Sequence, residues 1–215
     1  MVSEPKTSSE SKAVARRRKL RDALIEAAER TIEREGLRGM RARDLALRVG
    51  CAVGAIYNVF ADLDDLIFAV NAVTLEQLEK TLTMAGRDRA DPQADAIKTL
   101  VHLGLAYTDY AAAHKRRWRA LFDHRLPEGR DVPTWYQANL HRLFDYIEQP
   151  LRQIAPALDR PARALLARSL FSAVHGIVLI GLEEKLQSIP LTVLREQVTS
   201  MIEAVARGLA VPAGK

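Results

Sequence analysis

The sequence predicts an all-α protein, with a small three-helix unit at the N-terminal end and a larger helical domain after it. Two observations support this fold class. Apolar residues recur at helical spacing along most of the 215 residues, and the sequence contains no strand-like alternation of any length and no internal repeat. A chain of this length can bury a substantial core, either as one large domain or as two small ones.

Nine helices are predicted along the chain. Gly36 and Gly50 end the first and second in the usual C-terminal way, and the acidic residues at 62–65 suit the N-terminal dipole of the fourth. Asp91-Pro92 has the pattern of a cap followed by proline at the first helical position. The predicted spans are about 20–35, 41–48, 52–58, 62–84, 91–113, 115–124, 134–154, 161–186 and 190–209.

The basic residues are concentrated at the start of the chain. Residues 1–60 carry 13 Lys and Arg against 8 Asp and Glu, whereas residues 61–215 carry 19 of each. The whole net charge of +5 therefore belongs to the first quarter, which contains the run RRRK at 16–19. This asymmetry indicates an acidic partner, most simply nucleic acid, although a solvated basic tail gives the same pattern.

Composition also argues against several protein classes. With one cysteine, no intrachain disulfide and no paired-cysteine metal site can form, so we expect a cytoplasmic protein. Residues 1–14 are polar and Ser-rich, without the apolar run of a signal peptide, and we expect a disordered tail there. The apolar run at 164–182 has an uncharged part of about 14 residues. That is short of the roughly 20 of a membrane span, and we expect a core or interface helix.

Residues 41–60, RARDLALRVGCAVGAIYNVF, have the spacing of a helix-turn-helix. The small Ala46 lets two short helices cross closely, and Gly50 supplies the positive φ that ends the first. Ile56 then packs back into the angle between them. In this motif the second helix enters the major groove of DNA.

Residues 17–66 resemble the DNA-binding domain of the TetR family of bacterial transcription regulators. The shared features are Ala27-Ala28, Glu35-Gly36, Leu45-Ala46, Gly50, Gly54, Ile56-Tyr57, Phe60 and Leu66. The resemblance implies a DNA-binding head at 15–61 and a ligand-sensing and dimerisation domain at 62–215. It also implies a repressor that a small molecule releases from its operator. Trp118, His124 and His175-Gly176 are similar to a C-terminal subfamily named for Trp, His and Gly.

The DNA contacts are predicted from this resemblance and from side-chain chemistry. Tyr57 matches the family's phosphate-binding tyrosine, and Arg43 matches a position that reaches a base edge, where arginine suits guanine. Arg17 is a candidate for minor-groove or phosphate contact. The alternatives are a core tyrosine at 57 and solvated residues elsewhere. The predicted DNA-binding residues are Arg17, Arg41, Arg43, Val53, Gly54, Ala55, Tyr57 and Asn58.

Several family positions are occupied differently in this chain. Met40 and Arg41 replace the usual threonine and N-cap hydroxyl of the second helix, and Ala52 replaces the Ser or Pro that opens the third. Ala55 replaces a threonine, and Leu63 replaces a lysine that contacts phosphate. These departures keep an alternative open: a helical small-molecule-binding or interaction protein whose head has lost specific DNA binding.

The C-terminal two thirds contain nine of the twelve aromatic residues between positions 107 and 171. Such enrichment lines an apolar ligand cavity or fills a helical core. The run KRRWR at 115–119 is either an acidic-ligand site or a solvated helix face. We expect no metal site, because no set of His, Cys, Asp and Glu residues has ligand spacing. We expect no cofactor or enzymatic activity, because the sequence shows no phosphate-cradling loop, nucleophile elbow or carboxylate pair with clear context. The predicted ligand-binding residues are His102, Tyr107, Trp118, Phe122, Trp135, Phe144, Phe171 and His175.

The last two helices are predicted to form a homodimer interface. One carries an apolar stripe and the other a stripe of small residues, so two helices from each subunit would make a four-helix interface. The alternative is packing within one chain. The apolar stripe is Leu194, Val198, Met201, Ile202, Val205 and Leu209, and the small-residue stripe is Ser169, Ser172, Ala173 and Gly176.

Overall fold

The computed structural model describes residues 7–87 and 96–210 of the chain. Within these ranges the secondary structure is entirely helical, which confirms the predicted fold class. Two short 3-10 turns, at 37–39 and 184–186, accompany the α-helices. The helices are α1 (Thr7–Glu35), α2 (Ala42–Val49), α3 (Val53–Tyr57), α4 (Leu63–Arg87), α5 (Ala96–Ala113), α6 (Lys115–Asp123), α7 (Thr134–Ile154), α8 (Arg160–Gly181) and α9 (Leu191–Ala210).

The chain packs into two compact units. The first contains the chain up to Thr74 together with Arg116–Asp131, and the second contains Leu75–Lys115 and the chain from Val132 onward. Helix α4 therefore contributes residues to both units. The boundary predicted between residues 61 and 62, which divides a DNA-binding domain from a ligand-sensing and dimerisation domain, stays a prediction.

The core of the first unit is built on α1, because its apolar residues recur at helical spacing. Ala28 and Ile32 of α1 pack with Leu45 of α2 and Ile56 of α3, and all four are buried. Leu66 of α4 and Ala120 of α6 belong to the same core. A segment more than forty residues further along the chain thus completes the N-terminal core.

The second unit is built around α5, which packs against α7, α8 and α9. Gly104 of α5 allows α9 to approach closely, because a Cβ there would lie 2.4 Å from Cδ1 of Ile202. Gly181 plays the same part for α8, where a Cβ would lie 2.5 Å from Cδ1 of Leu194. Glycines at these two helix crossings therefore allow α9 to pack closely against α5 and α8.

Three predicted boundaries differ from the structure or lie outside it. Helix α1 begins at Thr7, so residues 7–14 of the predicted disordered tail are helical, while residues 1–6 lie outside the described residues. No glycine or proline interrupts the sequence from Thr7 to Glu35, so nothing in the backbone chemistry ends the helix before Gly36. The predicted cap at Asp91-Pro92 also lies outside the described residues.

Helix α8 ends at Gly181 rather than near residue 186. The close contact of Gly181 with Leu194 brings α9 against this end of α8. The amide of Ile189 donates to the carbonyl of Gly181 at 2.9 Å, which closes the connection between the two helices. The chain must therefore turn earlier than the apolar pattern indicates.

By length and composition, α8 could cross a membrane, and it is the one helix among the described residues that could. A core or interface helix of a water-soluble protein satisfies the same criteria, so this feature is weak evidence for a span. Only 28% of its apolar window is buried within the chain. Helix α8 is therefore an apolar helix with an uncovered face.

Candidate functional site

The helix-turn-helix has the geometry that its sequence predicts. Gly50 adopts a left-handed conformation with φ of 73°, and the amide of Cys51 donates to the carbonyl of Ala46 at 3.0 Å. Ala46 and Ile56 are buried at the crossing of α2 and α3. Each residue thus has the role predicted from its spacing: small at the crossing, left-handed at the turn, and β-branched in the angle.

One face of α3 is left open by this packing. Val53 is 37% exposed and Tyr57, one turn later, is 48% exposed, so Tyr57 is not a core tyrosine. A Cβ at Gly54 would meet no atom within 4 Å, and Asn58 is exposed one turn beyond it. We call Val53, Gly54, Tyr57 and Asn58 the reading face. Ala55 is half-buried beside it.

The predicted arginines are also exposed. Arg41 and Arg43 lie at the start of α2, and Arg17 lies with Arg16, Arg18 and Lys19 in the N-terminal half of α1. Arg48 is different, because its guanidinium bonds Thr31 and Glu35 of α1 at 3.0 Å each. Arg48 therefore holds α2 to α1, while Arg17, Arg41 and Arg43 remain exposed to solvent.

The missing N-caps are visible in the structure. Arg41 and Ala52 precede α2 and α3 without a side-chain hydrogen bond to the helix. At α4 the caps are present: Asp62 Oδ1 accepts from the amide of Asp65 at 2.9 Å, and Asp65 Oδ2 accepts from the amide of Ala61 at 3.1 Å. The turn from α3 to α4 is therefore fixed by two carboxylates.

Arg130 contacts both of these carboxylates and a third. Its guanidinium donates to Asp62 Oδ2, to Asp64 Oδ2 at 3.0 Å and to Asp65 Oδ1 at 3.0 Å. His124 Nε2 lies 2.9 Å from the other oxygen of Asp64. The hydrogen bond from Arg130 holds the pKa of Asp62 below its usual value, and it raises the pKa of Arg130 itself. We call these five residues the Arg130 cluster.

Helix α6 supplies further contacts that the sequence did not reveal. Arg117 is only 5% exposed and pairs with Glu29 of α1 at 2.6 Å. Arg116 donates to the backbone carbonyls of Glu33 and Arg34, near the C-terminus of α1. The interpretation of KRRWR as a solvated face or an acidic-ligand site is wrong for Arg117. The one sequence signal for the burial of Arg117 is its neighbour Trp118. Spacing does not reveal the ion pair, because Glu29 lies more than eighty residues earlier in the chain.

Four of the eight predicted ligand-binding residues come together in the second unit. Tyr107 Oη lies 2.7 Å from His175 Nδ1, and the ring of Phe171 stacks on His175 with centroids 5.6 Å apart. Phe144 meets Phe171 edge-on at 5.5 Å. Burial lowers the pKa of His175 from its usual value. We call Tyr107, Phe144, Phe171 and His175 the sensor cluster.

The other four predicted ligand-binding residues are divided between the two packing units. Trp118 is completely buried in the first unit, and Phe122 is exposed beside it on α6. Trp135 is exposed at the start of α7, and His102 is half-buried on α5. Two of the eight residues therefore belong to the first unit and six to the second, because enrichment along the sequence does not decide which packing unit each aromatic ring joins.

The predicted dimer stripe of α9 is largely used within the chain. Leu194, Val198 and Ile202 are buried, and they contact Gly181 and Gly104 of the same chain. The intrachain alternative is therefore correct for these three residues. The small-residue stripe of α8 is uncovered, with Ser169, Ser172 and Ala173 exposed.

Two family models match the chain. Residues 24–70 match the model of bacterial regulatory proteins of the tetR family, and residues 100–205 match the model of a tetracyclin repressor-like C-terminal domain. Over 177 residues the chain is 31% identical to an uncharacterized HTH-type transcriptional regulator of Mycobacterium tuberculosis, covering 82% of this chain and 77% of that protein. The chain belongs to the TetR family of bacterial transcriptional regulators. The likeness to the Trp-His-Gly subfamily is not confirmed.

Solved structures share the fold. A protein of unknown function from Rhodococcus sp. RHA1 aligns with a TM-score of 0.71 and 24% identity, covering 89% of this chain and 96% of that one. A TetR-family regulator from Rhodococcus sp. aligns at 0.60 with 18% identity, covering 87% and 99%. A possible TetR family regulator from Streptomyces coelicolor A3(2) aligns at 0.64 with 17% identity, covering 88% and 99%. At these identities the likeness shows the fold alone.

Membership of the TetR family gives the general function. Such regulators bind operator DNA and act as dimers, so this chain is a DNA-binding transcriptional regulator. The helix-turn-helix lies within the matched residues 24–70, and α5, α6, α7 and α8 lie within residues 100–205 apart from the first turn of α5.

Proposed function

We propose that this TetR-family protein is a cytoplasmic repressor that reads its operator through α3 and is released by a small molecule. The observation that carries the proposal is the reading face, an exposed helix surface held in place by the buried residues Ala46 and Ile56. Phosphate contacts position such a head, while contacts to base edges specify the sequence.

The proposed contacts divide by chemistry. Arg43 is the candidate for a guanine edge, and Val53 and Ala55 suit thymine methyl groups. Tyr57 and Arg41 are candidates for phosphate, and Gly54 allows the backbone to approach DNA closely. Arg17 and the exposed run at 16–19 would reach phosphates or the adjacent minor groove. Few side chains would read bases, and most of the affinity would be electrostatic.

We infer that the sensor cluster contributes the effector site. Three aromatic rings supply apolar contact, and the hydrogen-bonded pair of Tyr107 and His175 supplies a polar anchor. Of the remaining predicted residues, His102 and Trp135 belong to the same packing unit as this cluster, and Trp118 and Phe122 to the other. As a hypothesis, effector binding shifts α4, and the two heads then no longer match successive major grooves. Release requires the effector to bind the DNA-free state more tightly.

We propose that the dimer forms through one face of α8. Leu165 and Ile180 are 67% and 59% exposed, and Ser169, Ser172 and Gly176 lie between them on the same side of the helix. The hydroxyls of Ser169 and Ser172 donate to carbonyls of their own helix, so burial would leave no hydroxyl unpaired. A Cβ at Gly176 would meet no atom within 4 Å. We call these five residues the α8 face. Exposed Val193 and Val205 of α9 would extend it.

The proposal is tested by selection of DNA duplexes from a random pool with the full-length protein. We expect enrichment of a sequence with two similar half-sites, about one helical turn or a multiple of it apart. Binding to the enriched duplex should weaken steeply with salt. Enrichment of no sequence by a folded dimer would contradict it.

The second candidate is a helical small-molecule-binding or interaction protein whose head has lost specific DNA recognition. The uncapped starts of α2 and α3 and the leucine at position 63 favour it. The same selection separates the two candidates, because the second predicts salt-sensitive binding without sequence preference.

A further inference from the structure

The turn between α3 and α4 is fixed by carboxylates that have two partners each. Asp62 uses Oδ1 to cap α4 and Oδ2 to accept from Arg130. Asp65 uses Oδ2 to hold the amide of Ala61 and Oδ1 to accept from Arg130. Both carboxylates that shape the turn are thus oriented by the same guanidinium. The turn begins directly after Asn58, the last residue of the reading face, so the two are continuous along the chain.

The local sequence explains how Arg130 is presented. The amide of Arg130 donates to the carbonyl of Pro127 at 3.2 Å, and Gly129 between them has φ of 80°. A turn of this kind requires a positive φ at its third residue, which glycine adopts without strain. The segment LPEGR therefore forms a tight turn that directs one arginine to the start of α4, 65 to 68 positions away from its partners in the sequence.

The planar guanidinium is suited to this arrangement. Its nitrogens lie in one plane as a fixed fork, so Nη1 and Nη2 can contact separate carboxylates at the same time. Without it, Asp62 and Asp65 would keep their amide partners and Asp64 would keep His124, but the three carboxylates would lose the guanidinium that they share. Unshielded carboxylates at this place would also repel the phosphates that the adjacent reading face approaches.

We propose that Arg130 is a positioning residue for DNA reading: it fixes the α3–α4 turn and shields its three carboxylates, although it lies outside the helix-turn-helix sequence. This inference rests on the proposed function for its effect on DNA. Its effect on the turn is independent of DNA and is measurable in the free protein.

The first test is amide hydrogen exchange of the free full-length protein. Arg130→Gln should accelerate exchange at Ala61 and Asp65 about tenfold, the factor for loss of a charge-assisted hydrogen bond. Arg125→Gln is the matched control, since it removes the same charge from an exposed position of the same segment. Equal exchange at Ala61 and Asp65 in the two variants would overturn the proposal.

The second test measures the affinity for the duplex selected by the wild-type protein. Arg130→Gln should weaken binding about tenfold more than Arg125→Gln does, and Arg130→Lys should recover less than half of the loss on a logarithmic scale. Full recovery by lysine would overturn the positioning role, because a point charge would then suffice. If the wild-type protein selects no DNA sequence, the proposed function fails while the exchange experiment still decides whether Arg130 fixes the turn.

Discussion

Individual side chains in this protein carry roles that their residue type alone does not reveal. Arg41 and Arg43 are exposed, Arg48 holds α2 to α1, and Arg117 is buried against Glu29. The sequence predicts the exposed pair, because both lie at the start of a short helix of a recognisable motif. It does not predict the partner of Arg117, because that pair depends on α6 packing beside α1.

His175 gives a test at the residue scale. Burial lowers its pKa in the folded protein, so below the ordinary value near 6.5 the unfolded chain takes up a proton that the folded chain does not. Stability should therefore decline as pH falls through that range, and His175→Gln should make the decline smaller. Urea unfolding at about pH 7.5 and about pH 5.5 measures this decline in the free energy of unfolding. His141→Gln, at an exposed position of α7, is the control, and an equal decline in His175→Gln and the wild type would be contrary to the prediction.

At the scale of the helices, Gly50 and Gly54 of the helix-turn-helix are explained by different structural requirements. A Cβ would meet no atom at either Gly50 or Gly54, so space does not distinguish them. Gly50 has a positive φ, whereas Gly54 lies inside α3. Gly50 therefore permits the turn between α2 and α3, and Gly54 leaves the reading face without a side chain at that position.

Substitution of these glycines gives the second prediction. Gly50→Ala should lower the free energy of unfolding by about 1 kcal/mol, because a side chain is strained in the left-handed region. Gly54→Ala should raise it by about 0.5 kcal/mol, because alanine favours the helix. Chemical denaturation of both variants measures the difference. Destabilisation by Gly54→Ala that matches Gly50→Ala would show that φ is not the cause.

The helices themselves were largely predictable, and their partners were not. Periodicity and prolines predicted the span of α7 as Thr134–Ile154, which is what the structure has. The end of α8 was missed, because it depends on how closely Leu194 approaches Gly181. Periodicity predicts the apolar stripe of α9, but it does not predict which surface the stripe packs against. For the same reason, the sequence predicts the aromatic enrichment but not which of the eight candidate residues contact one another, and their ligand-binding role stays a prediction.

At the scale of the whole molecule, the exposed α8 face is the surface that a second copy of the chain would cover. Its residues are apolar or small, and a monomer would leave Leu165 and Ile180 in water. TetR-family regulators act as dimers, and a matching face on a second copy would bury this surface.

Oligomeric state gives the third prediction. Leu165→Glu combined with Ile180→Glu should reduce the mass at micromolar concentration from two chains to one chain of 24.0 kDa, because four charges would meet across a symmetric interface. Sedimentation equilibrium measures the mass. Met84→Glu, at an exposed position of α4, is the control and should remain dimeric. A dimeric double variant would place the interface elsewhere.

The central claim is that the reading face and the start of α2 recognise a DNA sequence. The most direct measurement is the affinity of Tyr57→Phe combined with Arg43→Ala for the selected duplex and for a scrambled one. We predict a loss of about 2–4 kcal/mol on the selected duplex, from one base contact and one phosphate contact, and a much smaller loss on the scrambled one. Unchanged affinity for the selected duplex in a folded, dimeric variant would contradict the account.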